Sequence, residues 1–211
     1  MTYAILTAAK TTDGSIKNWV SHDSIPSGEI LADAQDWLAA RVRNRRMLKL
    51  GTALTIVADD ESAALASDFL DPLSFNVRSG GAMEFIPEED LLRLRARHAT
   101  DGLGAGEPHY FTWFGETPTA YFDLKADGSY TIDYIYYAKP AVLVSSTNET
   151  NLWTDQYRLP LRHACTAYAY EWLKDYDRAK AELSVATLEV EKRAQTDDLG
   201  RRGQVFDIEA V

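Results

Sequence analysis

The sequence has a single cysteine, Cys165, and no apolar run as long as the roughly 18 residues that a membrane-spanning helix needs. One cysteine excludes an internal disulfide and fits a reducing compartment. Residues 1–4 do not lead from a basic segment into a long apolar stretch, so a secretory signal is not expected. We therefore expect no membrane association and synthesis in a reducing cytoplasm.

Motifs of catalysis and cofactor binding are also missing. The sequence contains neither the Gly-Lys-Ser/Thr phosphate-binding loop nor a Gly-x-Ser-x-Gly nucleophile elbow. Its four histidines lack the His-x-x-x-His spacing of metal ligands, and the acidic runs at 59–61 and 88–90 lack the calcium-loop pattern. Cys165 and His163 stand two residues apart on a predicted helix, so they point to different faces, and a core position for Cys165 is favoured. We predict no catalytic residue, no cofactor and no metal.

The negative charge is concentrated in the middle of the chain. The net charge is −10, and residues 51–150 hold 16 Asp and Glu against 6 Lys and Arg. Phosphate binding needs cations on the contact surface, so this segment is unsuited to clamping nucleic acid. Solubility is the simplest explanation of the charge, and a wall past which DNA slides without sticking is the alternative.

An amphipathic helix is predicted after Pro26. Apolar residues recur at steps of three and four, and they are Ile30, Ala34, Trp37, Leu38 and Val42. The helix ends in four arginines, Arg41, Arg43, Arg45 and Arg46, a charge that a helix C-terminus favours. This cluster is a candidate contact for DNA or an acidic partner, and a solvated helix end is the plain alternative. Shorter helices are expected at 3–10 and 16–20.

Alternating residues predict strands through the middle of the chain. They fall at 54–58, 73–77, 83–86, 109–114, 119–124 and 129–137, with a helix at 87–98. Ala126-Asp127-Gly128 predicts a hairpin between the last two strands. In the last strand, Tyr130, Ile132, Tyr134 and Tyr136 share a face that we expect to be buried.

Two helices are predicted towards the C-terminal end, at 161–173 and 177–196. Apolar residues of the first line one side, which extends to Trp172 and Tyr176. The second is apolar on two faces, Ala179, Leu183, Ala186 and Val190 on one and Ala181, Val185 and Leu188 on the other. The second face is therefore either covered within the chain or a contact with another subunit.

The last twelve residues, 200–211, contain three large apolar side chains, Val205, Phe206 and Ile208. Frayed termini are usually polar. We therefore predict a C-terminal arm that docks on another protein.

Four stretches of the chain are each a weak signal of a protein family when taken alone. Their order and spacing together are more specific. They are Ile25-Pro26 before the amphipathic helix, Asp68-Phe69-Leu70, the Gly-Glu-Pro-His-Tyr-Phe run at 106–111, and the run at 134–140 followed by Asn148, Asn151 and paired helices. Together they resemble the head-to-tail adaptor, or connector, proteins of tailed double-stranded DNA bacteriophages. The resemblance covers about residues 25–195. Pro160 departs from the family's usual position for a proline before the helix, and the segment past Gly200 has no counterpart.

The resemblance implies an α+β fold, in which N-terminal helices (1–47) and C-terminal helices (155–199) form a bundle with an inserted antiparallel β-rich lobe at about 48–140. Residues 1–199 would be one adaptor domain and 200–211 a docking tail. The implied function is structural and non-catalytic: a homo-oligomeric ring, commonly of twelve subunits, in the head–tail neck of the virion. Such a ring binds the portal protein, extends the channel through which genomic DNA passes without sequence-specific binding, and is a platform for the tail or a stopper protein.

Three other functions remain open from the sequence. Another neck component, a stopper or tail-completion protein, would form a ring that is often sixfold. A small enzyme would use an aromatic platform of Tyr110, Trp113, Tyr121, Tyr134 and Tyr136. A DNA-binding protein would use the arginines at 41–46.

Overall fold

The computed structural model describes the backbone of residues 1–143 and 150–202, and the side chains of these residues up to Ala194. Two compact units are present, a helical unit of Met1–Asn44 with the chain from Pro140 onward, and a β unit of Arg45–Lys139. In sequence, helices lie at both ends of the chain and strands dominate the middle, so the predicted α+β class is confirmed.

The helices occupy the ends of the chain, with one exception inside the β unit. In chain order they are α1 (Tyr3–Leu6), α2 (Ile16–Trp19), α3 (Ser27–Arg41), α4 (Glu88–Thr100), α5 (Leu152–Gln156), α6 (Arg158–Trp172) and α7 (Tyr176–Arg202). The first helix is shorter than the predicted 3–10. The α6 helix begins before Pro160, which lies in its first turn, where the missing N–H of proline removes no intrahelical hydrogen bond.

The strands of the β unit form one curled sheet. They are β1 (Leu48–Leu50), β2 (Leu54–Ile56), β3 (Ser62–Ala64), β4 (Phe69–Val77), β5 (Ala82–Phe85), β6 (Tyr110–Phe114), β7 (Thr119–Phe122) and β8 (Tyr130–Ala138). The strand order is β1-β8-β4-β5-β6-β7-β3, and β2 pairs with β8 beside β1. The named strands pair antiparallel except β5 and β6, which are parallel. This parallel pair is possible because the chain between them, which includes α4, is long enough for a crossover.

The predicted hairpin at Ala126-Asp127-Gly128 is wrong. Strand β7 pairs with β3 and β6, whereas β8 pairs with β1, β2 and β4. Ala126 is instead buried, donating its N–H to the Asp60 carbonyl at 2.9 Å and accepting from the Asp59 N–H at 2.8 Å. A turn signal predicts that the chain reverses, but it does not determine which strands pair afterwards.

Aromatic side chains fill the core of the β unit. Phe75 stacks on Phe111 with ring centroids 4.1 Å apart, and Tyr134 packs against Phe75 at 5.1 Å. Ile132, Tyr134 and Tyr136 are buried, as predicted for that face of β8, and Tyr130 at its start is half-buried. Gly51 lies against the Tyr134 ring, where a Cβ atom would be 2.1 Å from Tyr134 Cζ. The aromatic core therefore requires glycine at this position.

The helical unit packs α3 and α7 against α6. Leu31, Leu38, Leu161 and Ala164 are fully buried. Cys165 is a core residue as predicted, and its burial raises the pKa of the thiol. The predicted apolar side of α6 ends earlier than expected, because Trp172 is 48% exposed and Tyr176 is 64% exposed. Both residues lie at the reversal between α6 and α7, where Lys174 adopts a φ of 62°.

A buried amide joins the two stretches of chain that build the helical unit. Gln35 on α3 is only 1% exposed. Its Oε1 accepts from the Leu143 N–H at 3.1 Å and from Asn151 Nδ2 at 2.7 Å, while its Nε2 donates to the Leu31 carbonyl at 3.1 Å. Asn151 also caps α5 through a capping box with Thr154. Asn148 lies outside the described residues.

We expect Gln35→Met to lower the free energy of unfolding by about 1–3 kcal/mol, because methionine keeps the shape but leaves the Leu143 N–H buried without its acceptor. Urea unfolding followed by circular dichroism at 222 nm measures the loss. Asp33→Asn, at an exposed position of the same helix, is the control and should change stability by less than about 0.5 kcal/mol. Equal stabilities of the two variants would contradict the role of the amide.

Gly51→Ala should destabilise the β unit by about 1–3 kcal/mol, because the added methyl group overlaps the Tyr134 ring. Gly81→Ala is the matched control, since a Cβ at Gly81 would have no heavy atom within 4 Å. Urea unfolding followed by near-ultraviolet circular dichroism compares the two. If both substitutions have the same effect, the close approach of Gly51 to Tyr134 is not a constraint.

Candidate assembly surfaces

The four arginines predicted at one helix end are divided between the two units. Arg41 and Arg43 belong to the helical unit, and Arg45 and Arg46 form the start of a short 3-10 turn in the β unit. Arg41 lies over the Trp37 ring with its Cζ 4.6 Å from the centroid. Arg43 Nη1 donates to the Ala39 carbonyl at 2.8 Å and the Val42 carbonyl at 2.9 Å. Two of the four therefore pack on or cap the end of α3, and Arg45 and Arg46 are exposed.

The two apolar faces of α7 differ in burial. Ala186 and Val190, on the first face, are buried, and the α6 and α7 helices are further joined by His163 Nδ1 and Glu182 Oε2 at 2.6 Å. Ala181, Val185 and Leu188, on the second face, are exposed, Leu188 to 54%. The described part of the chain does not cover this outer face of α7 (Ala181, Val185 and Leu188), which is thus available to another molecule. The candidate tail residues Val205, Phe206 and Ile208 lie outside the described residues.

The aromatic platform considered for a ligand-binding enzyme is divided between the core and half-buried positions, which Tyr110, Trp113 and Tyr121 occupy. Tyr134 and Tyr136 are buried, Trp113 packs on Phe69 at 5.2 Å, and Tyr121 stacks on Phe114 at 4.1 Å. Burial, together with a hydrogen bond to Asp68, raises the pKa of the Tyr136 hydroxyl. The contacts of Trp113, Tyr121, Tyr134 and Tyr136 therefore stabilise the sheet, and the two buried tyrosines are not available for stacking on a ligand.

Asp68 is a polar residue at the border of this core, where it contacts two other side chains of the β unit. Tyr136 donates to Asp68 Oδ1 at 2.6 Å, and Lys49 Nζ lies 2.5 Å from Asp68 Oδ2. Burial alone would raise the pKa of Asp68, but the hydrogen bonds from Lys49 and Tyr136 and the Lys49 charge hold that pKa below its usual value. The arrangement is an ion pair with Lys49 of β1 and a hydrogen bond with Tyr136 of β8, so Asp68 helps to position β8.

Most acidic side chains of the β unit point to solvent. Glu88, Glu89 and Asp90 are exposed in the first turn of α4, where the helix dipole favours negative charge. Asp123 is the exception, since it is buried and its Oδ1 accepts from the His109 and Tyr110 N–H groups at 3.0 Å each. The acidic surface is thus made of solvated groups, and the part of the chain that the structure describes contains no cluster of three potential metal ligands.

Three arginines that the sequence analysis did not select line one groove of the helical unit. Arg158 and Arg162 come from the first turns of α6, and Arg193 comes from α7. The groove also contains Trp19, over which Arg162 lies with its Cζ 5.4 Å from the ring centroid. The four-residue spacing of Arg158 and Arg162 places them on one helix face and is visible in the sequence, but the contribution of Arg193 depends on the packing of α7.

Within the described residues, no helix has the length and apolar character needed to cross a bilayer. No curated protein sequence matches the chain. A family model described as SU10 adaptor protein matches residues 1–205, nearly the whole chain. The helices at both ends, the β-rich middle and this match agree with the resemblance found in the sequence. The chain belongs to the SU10 adaptor protein family, a family of phage head-tail adaptors.

Proposed function

We propose that this adaptor forms a closed homo-oligomeric ring of twelve subunits that binds beneath the portal protein in the neck of the virion. The ring extends the DNA channel and is the platform for the tail or a stopper protein. The observation that carries this proposal is the family match over residues 1–205. Residues 1–199 act as one adaptor domain, and residues 200–211 act as the docking tail.

The outer face of α7 supports lateral contact between subunits. Ala181, Val185 and Leu188 present apolar side chains to solvent on a helix whose opposite face is buried. A closed ring repeats one contact around its circumference, and each subunit leaves only by breaking two contacts. Weak individual contacts are therefore sufficient, and the subunits assemble cooperatively on the portal.

The acidic β unit supports passage of DNA without retention. Its exposed carboxylates repel phosphate, and counterion release, which drives nonspecific DNA binding, needs cations instead. The exposed Arg45 and Arg46 then serve as contacts to an acidic surface of a protein partner, and genomic DNA passes through the lumen without sequence-specific binding.

Leu188→Glu is expected to leave a folded monomer that does not form rings on purified portal, because a charge buried in a lateral contact is costly. Negative-stain images and light scattering of adaptor mixed with portal measure ring formation and copy number. Leu92→Glu on α4 is the control, since Leu92 is 57% exposed and Leu188 54%. Rings formed equally by both variants would exclude the outer face of α7 as the lateral contact, and a sixfold ring would identify a stopper.

Truncation at Gly200 is expected to leave a folded monomer that no longer binds portal, because the apolar arm containing Val205, Phe206 and Ile208 is then missing. Circular dichroism checks the fold, and co-sedimentation with portal measures binding. A matched full-length variant, Asp207→Asn, keeps these apolar side chains and should retain binding. Full binding by the truncated protein would contradict the proposed role of the tail.

A further inference from the structure

The groove lined by Arg158, Arg162 and Arg193, which we name the arginine groove, is a positively charged site in a chain of net charge −10. It encloses about 560 Å³, and its described lining residues include no Asp or Glu. Trp19 and Leu159 add apolar surface. A groove of this composition fits a ligand that carries both carboxylates and apolar side chains.

The positive charge of the arginine groove is partly compensated, because Arg158 and Arg193 also line a neighbouring groove that contains Asp155 and Glu189. Arg158 and Arg162 stand at the N-terminal end of α6, where the helix dipole disfavours cations, and the first turn holds no acidic residue. Neither arginine forms an ion pair with a carboxylate within the described residues. Arg193 is held in place by a hydrogen bond to the Gln156 carbonyl and by the Tyr157 ring, 5.6 Å from its Cζ. An anionic ligand would therefore form new ion pairs with Arg158 and Arg162.

We propose that the segment Val205-Phe206-Asp207-Ile208-Glu209 of the same chain occupies the arginine groove in the free subunit. Two carboxylates, Asp207 and Glu209, alternate with apolar side chains in this segment. The carboxylates pair with the groove arginines, and the apolar side chains contact Trp19 and Leu159. The α7 helix that leads into the segment contributes Arg193 to the same groove.

The chain between Arg193 and Ile208 is long enough for the segment at 205–209 to return to the arginine groove. Arg193 is nine residues before the end of α7 at Arg202, a distance of about 14 Å along the helix axis. Each extended residue spans about 3.3 Å, so Ile208, the sixth residue after Arg202, reaches about 20 Å back.

A short tether makes this contact effective even if the isolated segment binds weakly, because the local concentration of the segment is then on the order of millimolar. One consequence rests on the proposed function. A tail held in the arginine groove is withheld from the portal, so portal binding must first release it, and free subunits are kept from engaging partners prematurely.

Disulfide trapping in the full chain tests the contact without portal or ring. Leu159→Cys and Ile208→Cys are combined and oxidised with glutathione, and the native Cys165 stays inert because it is fully buried. We expect an intramolecular disulfide, visible as a monomer of altered mobility on non-reducing gels. The control pairs Ile208→Cys with Tyr176→Cys, an exposed site about 39 Å along α7 from Arg202 and out of reach of the segment.

The trapped pair should form at least about ten times faster than the control pair, because tethering favours the groove. Adding Asp207→Asn and Glu209→Gln to the trapped pair should slow its oxidation about fivefold or more through the loss of ion pairs. A rate no higher than the control, an unchanged rate in the neutralised variant, or a dimer-sized product would each overturn the proposal. Since the readout involves neither portal nor ring, such a result leaves the proposed function standing.

Discussion

The helical unit depends on hydrogen bonds that join two stretches of chain. One stretch precedes the β unit in the sequence and the other follows it. Gln35 holds the returning chain at Leu143 and Asn151, and Asn44 Nδ2 donates to the Tyr157 hydroxyl at 2.9 Å where the chain leaves. Asn44, Tyr157 and Gln35 are all buried. In a low-dielectric interior such bonds require correct partners, so they fix the alignment of α3 with α5 and α6 more strictly than apolar packing alone would.

This alignment has consequences along α6 and α7. Tyr157, whose hydroxyl accepts from Asn44, immediately precedes α6, and its ring also contacts Arg193 of α7. The register of α6 against α7 in turn buries Ala186 and Val190, and so turns Ala181, Val185 and Leu188 outward. The outer face of α7 and the arginine groove are therefore both determined by how the returning chain is held.

The helix spans and buried faces that depend on a local pattern of residues could be predicted from the sequence. The span of α3, the buried face of β8 and the two faces of α7 follow from periodicity, because burial selects residues at the period of each element. That β7 and β8 lie apart could not be predicted, because Ala126-Asp127-Gly128 specifies a reversal but not its partners. The strands that pair with β8 are β1, β2 and β4, and all three are remote from it in sequence. The exposure of Trp172 and Tyr176 depends on where α6 ends, and the arginine groove depends on packing between α6 and α7. Such contacts between distant residues leave no periodic signal in one sequence.

The register of the sheet also brings the first and last strands of the β unit together. Leu48 in β1 and Tyr137 in β8 are direct antiparallel partners, so their Cα atoms stand about 5 Å apart although they lie near opposite ends of the unit. The β unit is consequently entered and left by the chain through two paired strands, β1 and β8. Insertions, deletions and replacements in the rest of the β unit can therefore occur without disturbing the pairing of β1 with β8. Variation in length within this family is then expected to concentrate in the rest of the β unit, while the pairing of β1 with β8 is kept.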